Sequence, residues 1–445
     1  MLAFQIILGI ILFVSYAIMM SIMIIFERDK PKNIIIWSIV FLLSQLIGYI
    51  VYIAVRQVFY SKKNSLIRKC KEDEIYNQLI AKTLKDVNVA TNNELLGFNT
   101  LAYNANLTVN NNYEIFNSYE KAKENLLNDL SVSKNYIILE LVGINSVDFQ
   151  DIKTVLIERA KAGVSIRFVY AKNLKRNIKK ELNLAGIKTY KFNKFNTVGK
   201  MYSNFRNLIS IDGKCVYMCN LNFSRKQLNS EIDVANMFIK LRGDVVQDVD
   251  LAIHQDTIFA SGKYVDYIAE NEQFSNKTQL QFVSNEAEQD LELLLIKAIC
   301  MAKKSVQLQL AQFIPTESLM SLLRFAINSN IQVKLMVPLK NDRHGKYYAT
   351  RAYAKELALF GANVYLYDGY IRYNAITVDN DYVIYGSYIV DREHLNTSLQ
   401  NMLLIKDNKA VNAFNKMFDE CVGNSYRISN AKYMLLMEKF FKNFV

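Results

Sequence analysis

Histidine is scarce in this chain, with three in 445 residues, and the five cysteines (Cys70, Cys215, Cys219, Cys300, Cys421) are an odd, scattered set. There is no C-x-x-C pair and no cluster of cysteine with histidine at metal-ligand spacing. That excludes a disulfide framework and a bound metal, and it suits reduced thiols in a cytoplasmic compartment. Cys215 and Cys219 share one face of an expected strand, a placement that suits packing. Neither a metal nor a cofactor is expected.

Charge is also missing, entirely, from residues 2–25, "LAFQIILGIILFVSYAIMMSIMII". Such a run is long enough to cross a bilayer as a helix. It lacks a basic start and a small-residue cleavage site, which excludes a cleaved signal peptide. A second apolar run, 33–55, carries Trp37, Tyr49 and Tyr52 towards its ends as interface anchors. The connection "FERDKPKN" leaves no room for a domain, so an antiparallel transmembrane hairpin is expected. Arg56, Lys62, Lys63, Arg68, Lys69 and Lys71 follow it. By the positive-inside rule they place the rest of the chain on the cytoplasmic face of the cell membrane, beside anionic headgroups. A bare anchor without further role is the alternative.

What is plentiful is apolar surface, 51% of residues, and positive charge, +12 formally with a pI near 9.1. A basic excess suits nucleic acid or an anionic membrane. With a tether and a basic cluster at the bilayer, lipid is the expected partner and nucleic acid is not.

Beyond a polar stretch at about 72–110, helical and strand patterns alternate, and the alternation occurs twice. "KNYIILELV", "GVSIRFVY" and "FRNLISIDGKCVYM" in the first half answer to "SVQLQLAQF", "IQVKLMVP" and "RYNAITVDNDYVIYGS" in the second. "FRNLISIDG" and "RYNAITVDN" start 167 residues apart and share Asn at the third position and Asp at the eighth. Recurrence on this scale points to duplication. The expected fold is α/β: a duplicated body of mixed sheets flanked by helices, packed face to face, behind the hairpin. A cleft is expected where the two Asn–Asp strands meet. The expected layout is a hairpin at 1–60, a basic juxtamembrane segment and linker at 61–110, and two domains at 111–275 and 276–427. The last piece, 428–445, is an amphipathic tail, "KYMLLMEKFFKNFV", suited either to a membrane surface or to packing as a terminal helix.

The chain resembles the bacterial cardiolipin synthases of the phospholipase D superfamily over nearly its whole length. The resemblance is carried by "ERDKPKNIIIWSIVFLLSQLIGYIVYIAVR", "SIDGKCVYMCNLNFS", "AQFIPTESLMSLLRFAINSNIQVKLMVP", "NDRHGKYYATRAYAKEL" and "GSYIVDREHL" in that order. It implies a phospholipase D-like fold and an H-x-K-x(4)-D motif in each half, with no metal. One His attacks phosphorus, the other protonates the leaving alcohol, and the two Lys neutralise the phosphoryl oxygens. For the synthases the implied reaction is phosphatidyl transfer between two phosphatidylglycerol molecules.

Laid on this chain, the pattern puts Phe205, Asn207 and Asp212 at the first motif, and Arg372, Asn374 and Asp379 at the second. Phe205 has no nucleophilic atom, and Arg372, with a pKa above about 12, neither attacks nor gives up a proton near neutral pH. Cys219 and Asn220 replace a Gly pair, Ile389 replaces an Asn, and Gln400 stands for a downstream Glu. The expectation is a pseudoenzyme that binds anionic phospholipid or partners an active synthase homologue. The alternative left open is an active phosphatidyltransferase or phosphodiesterase with non-standard residues. Arg372, Arg206, Asn207 and Asn374 are the candidates for holding a phosphate, with an ion pair between Arg372 and Asp379 or Asp391 as the plainer role for that arginine. Asp212 and Asp379 are expected to bond backbone at the strand turns. His394 and His344 are the candidates for a migrated catalyst, and His254 lies in an amphipathic helix away from every landmark.

Overall fold

The computed structural model describes residues 2–26, 31–44, 47–54, 94–144, 149–172, 174–192, 204–218, 233–261, 274, 278–285, 291–339, 344–391, 395, 398–428 and 435–444. The chain divides into two compact units. The N-terminal unit holds the helices Leu2–Phe26 and Pro31–Leu43 and a helical segment at 47–54. Of the second expected run, 33–55, helix is described at Pro31–Leu43 and at 47–54. Met23, Trp37, Phe41 and Tyr52 bury one another, with the rings of Trp37 and Tyr52 5.0 Å apart edge to face. Ile10, Phe13, Ile18 and Ile25 are left exposed. Taken over the described residues alone, no helix is both long and apolar enough to cross a membrane.

In the other unit, the described residues form two large mixed sheets of the same design. The first runs in the order Asn111–Phe116, Phe238–Gly243, Cys215–Met218, Leu208–Ile211, Tyr136–Leu141, Ser165–Tyr170, Lys188–Lys191. The second repeats it as Gln279–Ser284, Asn401–Lys406, Tyr382–Gly386, Asn374–Val378, Ser305–Gln309, Gln332–Pro338, Asn363–Tyr367. Leu107–Thr108 and Ser425–Arg427 extend its edges. In both, the strand just before the motif Asp lies antiparallel to the strand where parallel pairing begins.

Strand alternation explains the core. Ile137 and Leu139 face the helices Tyr119–Ser131, Phe149–Lys161 and Arg176–Leu184, while Ile138 faces the other way. On that inner side Ile138, Leu208, Val216 and Met218 share one core with Phe282, Ala375, Val383 and Leu403 of the second sheet. Both faces of each sheet are thus buried, which is why its strands read as continuous apolar runs. The Tyr385 hydroxyl crosses between the sheets to the Met237 carbonyl at 2.7 Å.

The segment read as linker holds a buried helix, Glu94–Tyr103, and the edge strand Leu107–Thr108. Both belong to the second sheet, because Gln281 binds Asn99 at 2.9 Å and Thr100 and the Leu96 carbonyl at 3.0 Å. The tail contains the helix Leu436–Phe444, packed on the helix His344–Leu359.

Asp250, buried in the helix Val245–Ser261, accepts a 2.5 Å hydrogen bond from Tyr136. Burial pushes its carboxyl up to about 6. A folded pKa above the unfolded value means that its stabilising contribution is full below about pH 4 and is lost as pH rises through 6. Denaturation of the wild type and Asp250→Asn between pH 4 and 7 should show the stability difference shifting against the wild type by roughly 2–3 kcal/mol as pH rises. A difference that is flat with pH contradicts this.

Candidate functional site

Each motif is built around its Asp. Asp212 and Asp379 adopt left-handed backbone, at φ +55° and +53°, at the turn after the motif strand. Asp tolerates this conformation better than most residues. The Asp212 carboxylate accepts from the backbone N–H groups of Lys134 (2.8 Å), Asn135 (2.7 Å) and Tyr136 (2.9 Å). Asp379 does the same with Lys303 (3.0 Å), Lys304 and Ser305 (both 2.8 Å). Each Asp thereby ties the motif hairpin to the start of the neighbouring central strand.

The two Asn repeat the symmetry one turn of the pattern earlier. Asn207 Oδ1 accepts from Val142 N–H at 3.1 Å, and its amide donates to the Phe205 carbonyl at 3.2 Å. Asn374 Oδ1 accepts from Ala311 N–H at 2.9 Å, and its amide donates to the Tyr388 carbonyl at 2.5 Å. Both side chains are buried, so both candidate phosphate ligands are committed to backbone. Opposite Asn374, Gly386 approaches the Asn401 carbonyl so closely that a Cβ would sit 2.1 Å from that oxygen.

The openings of the motifs meet the other half. Phe205 N–H donates to the Leu399 carbonyl at 2.9 Å, beside a bridge between Asn204 and Leu399. Arg372 N–H donates to the Ala235 carbonyl at 3.0 Å, where Gly369–Ile371 pairs with Asp233–Ala235. The Arg372 side chain is half-buried, with its guanidinium 4.9 Å over the ring of Tyr370.

Behind Phe205 lies a dry polar cluster. Arg206 is buried and pairs with Asp256 at 2.5 Å, donating also to the carbonyls of Asn285 (2.8 Å) and Gln400 (3.3 Å). Its expected role as a headgroup ligand gives way to this internal one, because a guanidinium so enclosed has no exposed edge. Asn204 donates to Asp256 at 3.0 Å and to Glu140. Burial first, and the Asp256 carboxylate second, hold the Glu140 carboxyl well above the usual carboxylate range, against the opposing pull of Arg206 and Asn204. One cation among two buried acids disfavours charge on both carboxyls at once. Gln400 accepts from Ile389 N–H at 3.1 Å. His254 is buried in the helix Val245–Ser261, and His344 opens the helix His344–Leu359. His394 lies outside the described residues.

A family model described as "Cardiolipin synthase, PLD-like domain" matches residues 295–422. The probable cardiolipin synthase YwiE of Bacillus subtilis (strain 168) is 21% identical, over 95% of this chain and 88% of that protein. The major cardiolipin synthase ClsA of the same organism is 27% identical, over 85% of each chain. The crystal structure of phosphatidylserine synthase from Haemophilus influenzae Rd KW20 superposes with a TM-score of 0.58 at 10% identity, over 79% of this chain and 97% of that one, a likeness of fold. The chain is similar to the cardiolipin synthases over most of its length, and residues 295–422 match their phospholipase D-like domain.

In this cardiolipin synthase-like chain, sequence reasoning found the motif positions but missed the cluster behind them. Glu140 had one signal: it is the lone charge in the apolar run "YIILELV". Asp256 and Asn285 had none, being far from both motifs in sequence. Removing one clamp should be costly. Asp379→Ala leaves three N–H groups without their acceptor and should lower stability by roughly 2–4 kcal/mol, whereas Asp379→Asn, which keeps one oxygen, should lose about half as much. Denaturant midpoints check this, and an Asp379→Ala midpoint equal to the wild type contradicts the clamp.

Proposed function

We propose that this protein is a membrane-anchored, catalytically silent relative of the cardiolipin synthases that holds anionic phospholipid and works beside an active synthase homologue. One observation carries the reading. The two positions that need a nucleophile and a proton donor hold Phe205 and Arg372, and the two that need a cation hold Asn207 and Asn374, whose amides are spent on backbone. None of these four residues can form a phosphoenzyme. Arg372, half-buried at the opening of the second motif, keeps the fixed charge and forked donors suited to a phosphodiester.

The membrane-anchoring part of this reading rests on sequence: the uncharged run at 2–25, with exposed Ile and Phe side chains, and the basic residues that follow the second apolar run. In this reading 1–60 is the hairpin, 61–110 a basic linker that ends in the second sheet, and 111–275 and 276–427 the two phospholipase D-like halves. The soluble part faces the cytoplasm.

A second reading, an active phosphatidyltransferase with other residues, is favoured by the buried Glu140 carboxyl, which is held above the usual carboxylate range beside Asn204 and Asp256. It still lacks a nucleophile at either motif position. Purified full-length protein in phosphatidylglycerol vesicles separates the two. The expected result is glycerol release and cardiolipin formation at background, together with binding of short-chain phosphatidylglycerol that weakens about tenfold in Arg372→Ala. Cardiolipin formed at an enzymatic rate, and abolished by His394→Ala, overturns the proposal.

A further inference from the structure

The helix Leu436–Phe444 buries its glutamate and turns its leucine outward. Glu438 is 0% exposed, while Leu436 is 82% exposed. The Glu438 carboxylate accepts from Lys355 at 2.7 Å, pairs with Arg351 at 3.2 Å, and accepts from Leu435 N–H at 2.8 Å. Both cations belong to the helix His344–Leu359. Lys442 pairs with Glu356 on the same helix and lies 5.2 Å over the ring of Tyr353. Phe441 stacks on Tyr348 with ring centroids 5.8 Å apart, pressed so close to Gly345 that a Cβ there would meet the ring at 3.0 Å.

Residues 438, 441 and 442 follow helical spacing and make up the packed face. The opposite face presents Leu436, Met437 and Phe440, with Leu435 just before them, all exposed, and the exposed Lys439 beside them. Ordinary burial preferences are inverted here. A nine-residue helix does not persist alone in water, so the ion pairs to the helix His344–Leu359 are what hold the apolar face outward. A contiguous patch of this kind marks an interaction surface.

We propose that this face docks on the surface of an anionic bilayer, with Leu436, Met437 and Phe440 at the boundary of headgroups and acyl chains and Lys439 among the headgroups. Charge selects this occupant: the patch carries a cation and the chain a formal +12. A second copy seated on the same face would bring Lys439 towards its symmetry mate. The docked helix is clamped to the element that also carries Lys346, which pairs with the buried Asp391 shortly after Gly386–Ser387. Docking therefore fixes how the second motif's surroundings meet the lipid. It rests on the lipid partner proposed above and is independent of catalysis and of Arg372.

The full-length protein has one tryptophan, Trp37. In a Trp37→Phe background, Phe440→Trp is reconstituted in phosphatidylglycerol vesicles with and without bromine on the acyl chains, and Met437→Trp serves as a second probe. Brominated lipid should at least halve the emission, and the quenching should weaken with Lys439→Glu or in phosphatidylcholine alone. A water-like, unquenched emission from both probes overturns the docking. So does a blue-shifted emission that bromine leaves untouched and that grows with protein density, the mark of a second copy. Unquenched probes together with weakened binding in Arg372→Ala reject the docking while keeping the lipid reading; quenched probes without any effect of Arg372→Ala keep the docking and reject Arg372 as the headgroup ligand.

Discussion

A carboxylate at a left-handed turn, accepting three successive backbone N–H groups, is the interaction on which the body of this protein depends, and it is made twice. Asp212 gathers Lys134, Asn135 and Tyr136, and Asp379 gathers Lys303, Lys304 and Ser305. Charge-assisted bonds to backbone are among the stronger hydrogen bonds available to a fold. Here they join the motif hairpin to the strand at which the sheet changes from antiparallel to parallel pairing. The register of each sheet follows from that junction. So does the position of the motif openings, which the backbone then stitches to the opposite half at Leu399 and Ala235.

Scaffold and chemistry separate along this line. The Asp residues serve the fold and are present. The positions that serve phosphoryl transfer in the family pattern hold an aromatic ring, a permanent cation and two amides. The amides are not idle: each caps the backbone just past a central strand, at Val142 and Ala311. Replacement of a charged ligand by a group that closes onto the backbone converts a binding position into a structural one. The buried Arg206–Asp256 pair, with Asn204 and Glu140, has the same character. Breaking such a pair by removing one partner leaves an uncompensated buried charge.

Much of this was legible in the sequence. The inner strands are buried on both faces, so Tyr136–Leu141 and Gln332–Pro338 stand out as apolar runs, and the repeated Asn and Asp mark the duplication. Elements whose burial depends on distant polar partners were not legible. The helix Glu94–Tyr103 lies in a polar stretch and is held by Gln281, far along the chain. Arg206, beside the first motif, read as a ligand because its partner Asp256 is 50 residues away. The helix Leu436–Phe444 read as amphipathic, but periodicity alone does not say which face is buried, and two cations on another helix, Arg351 and Lys355, chose the charged one.

The most direct test of chemical silence is intact-mass spectrometry of the full-length protein after incubation with phosphatidylglycerol. A site filled by Phe205 and Arg372 predicts that the mass stays that of the unmodified chain at every time sampled. A phosphatidyl adduct on any residue would contradict it.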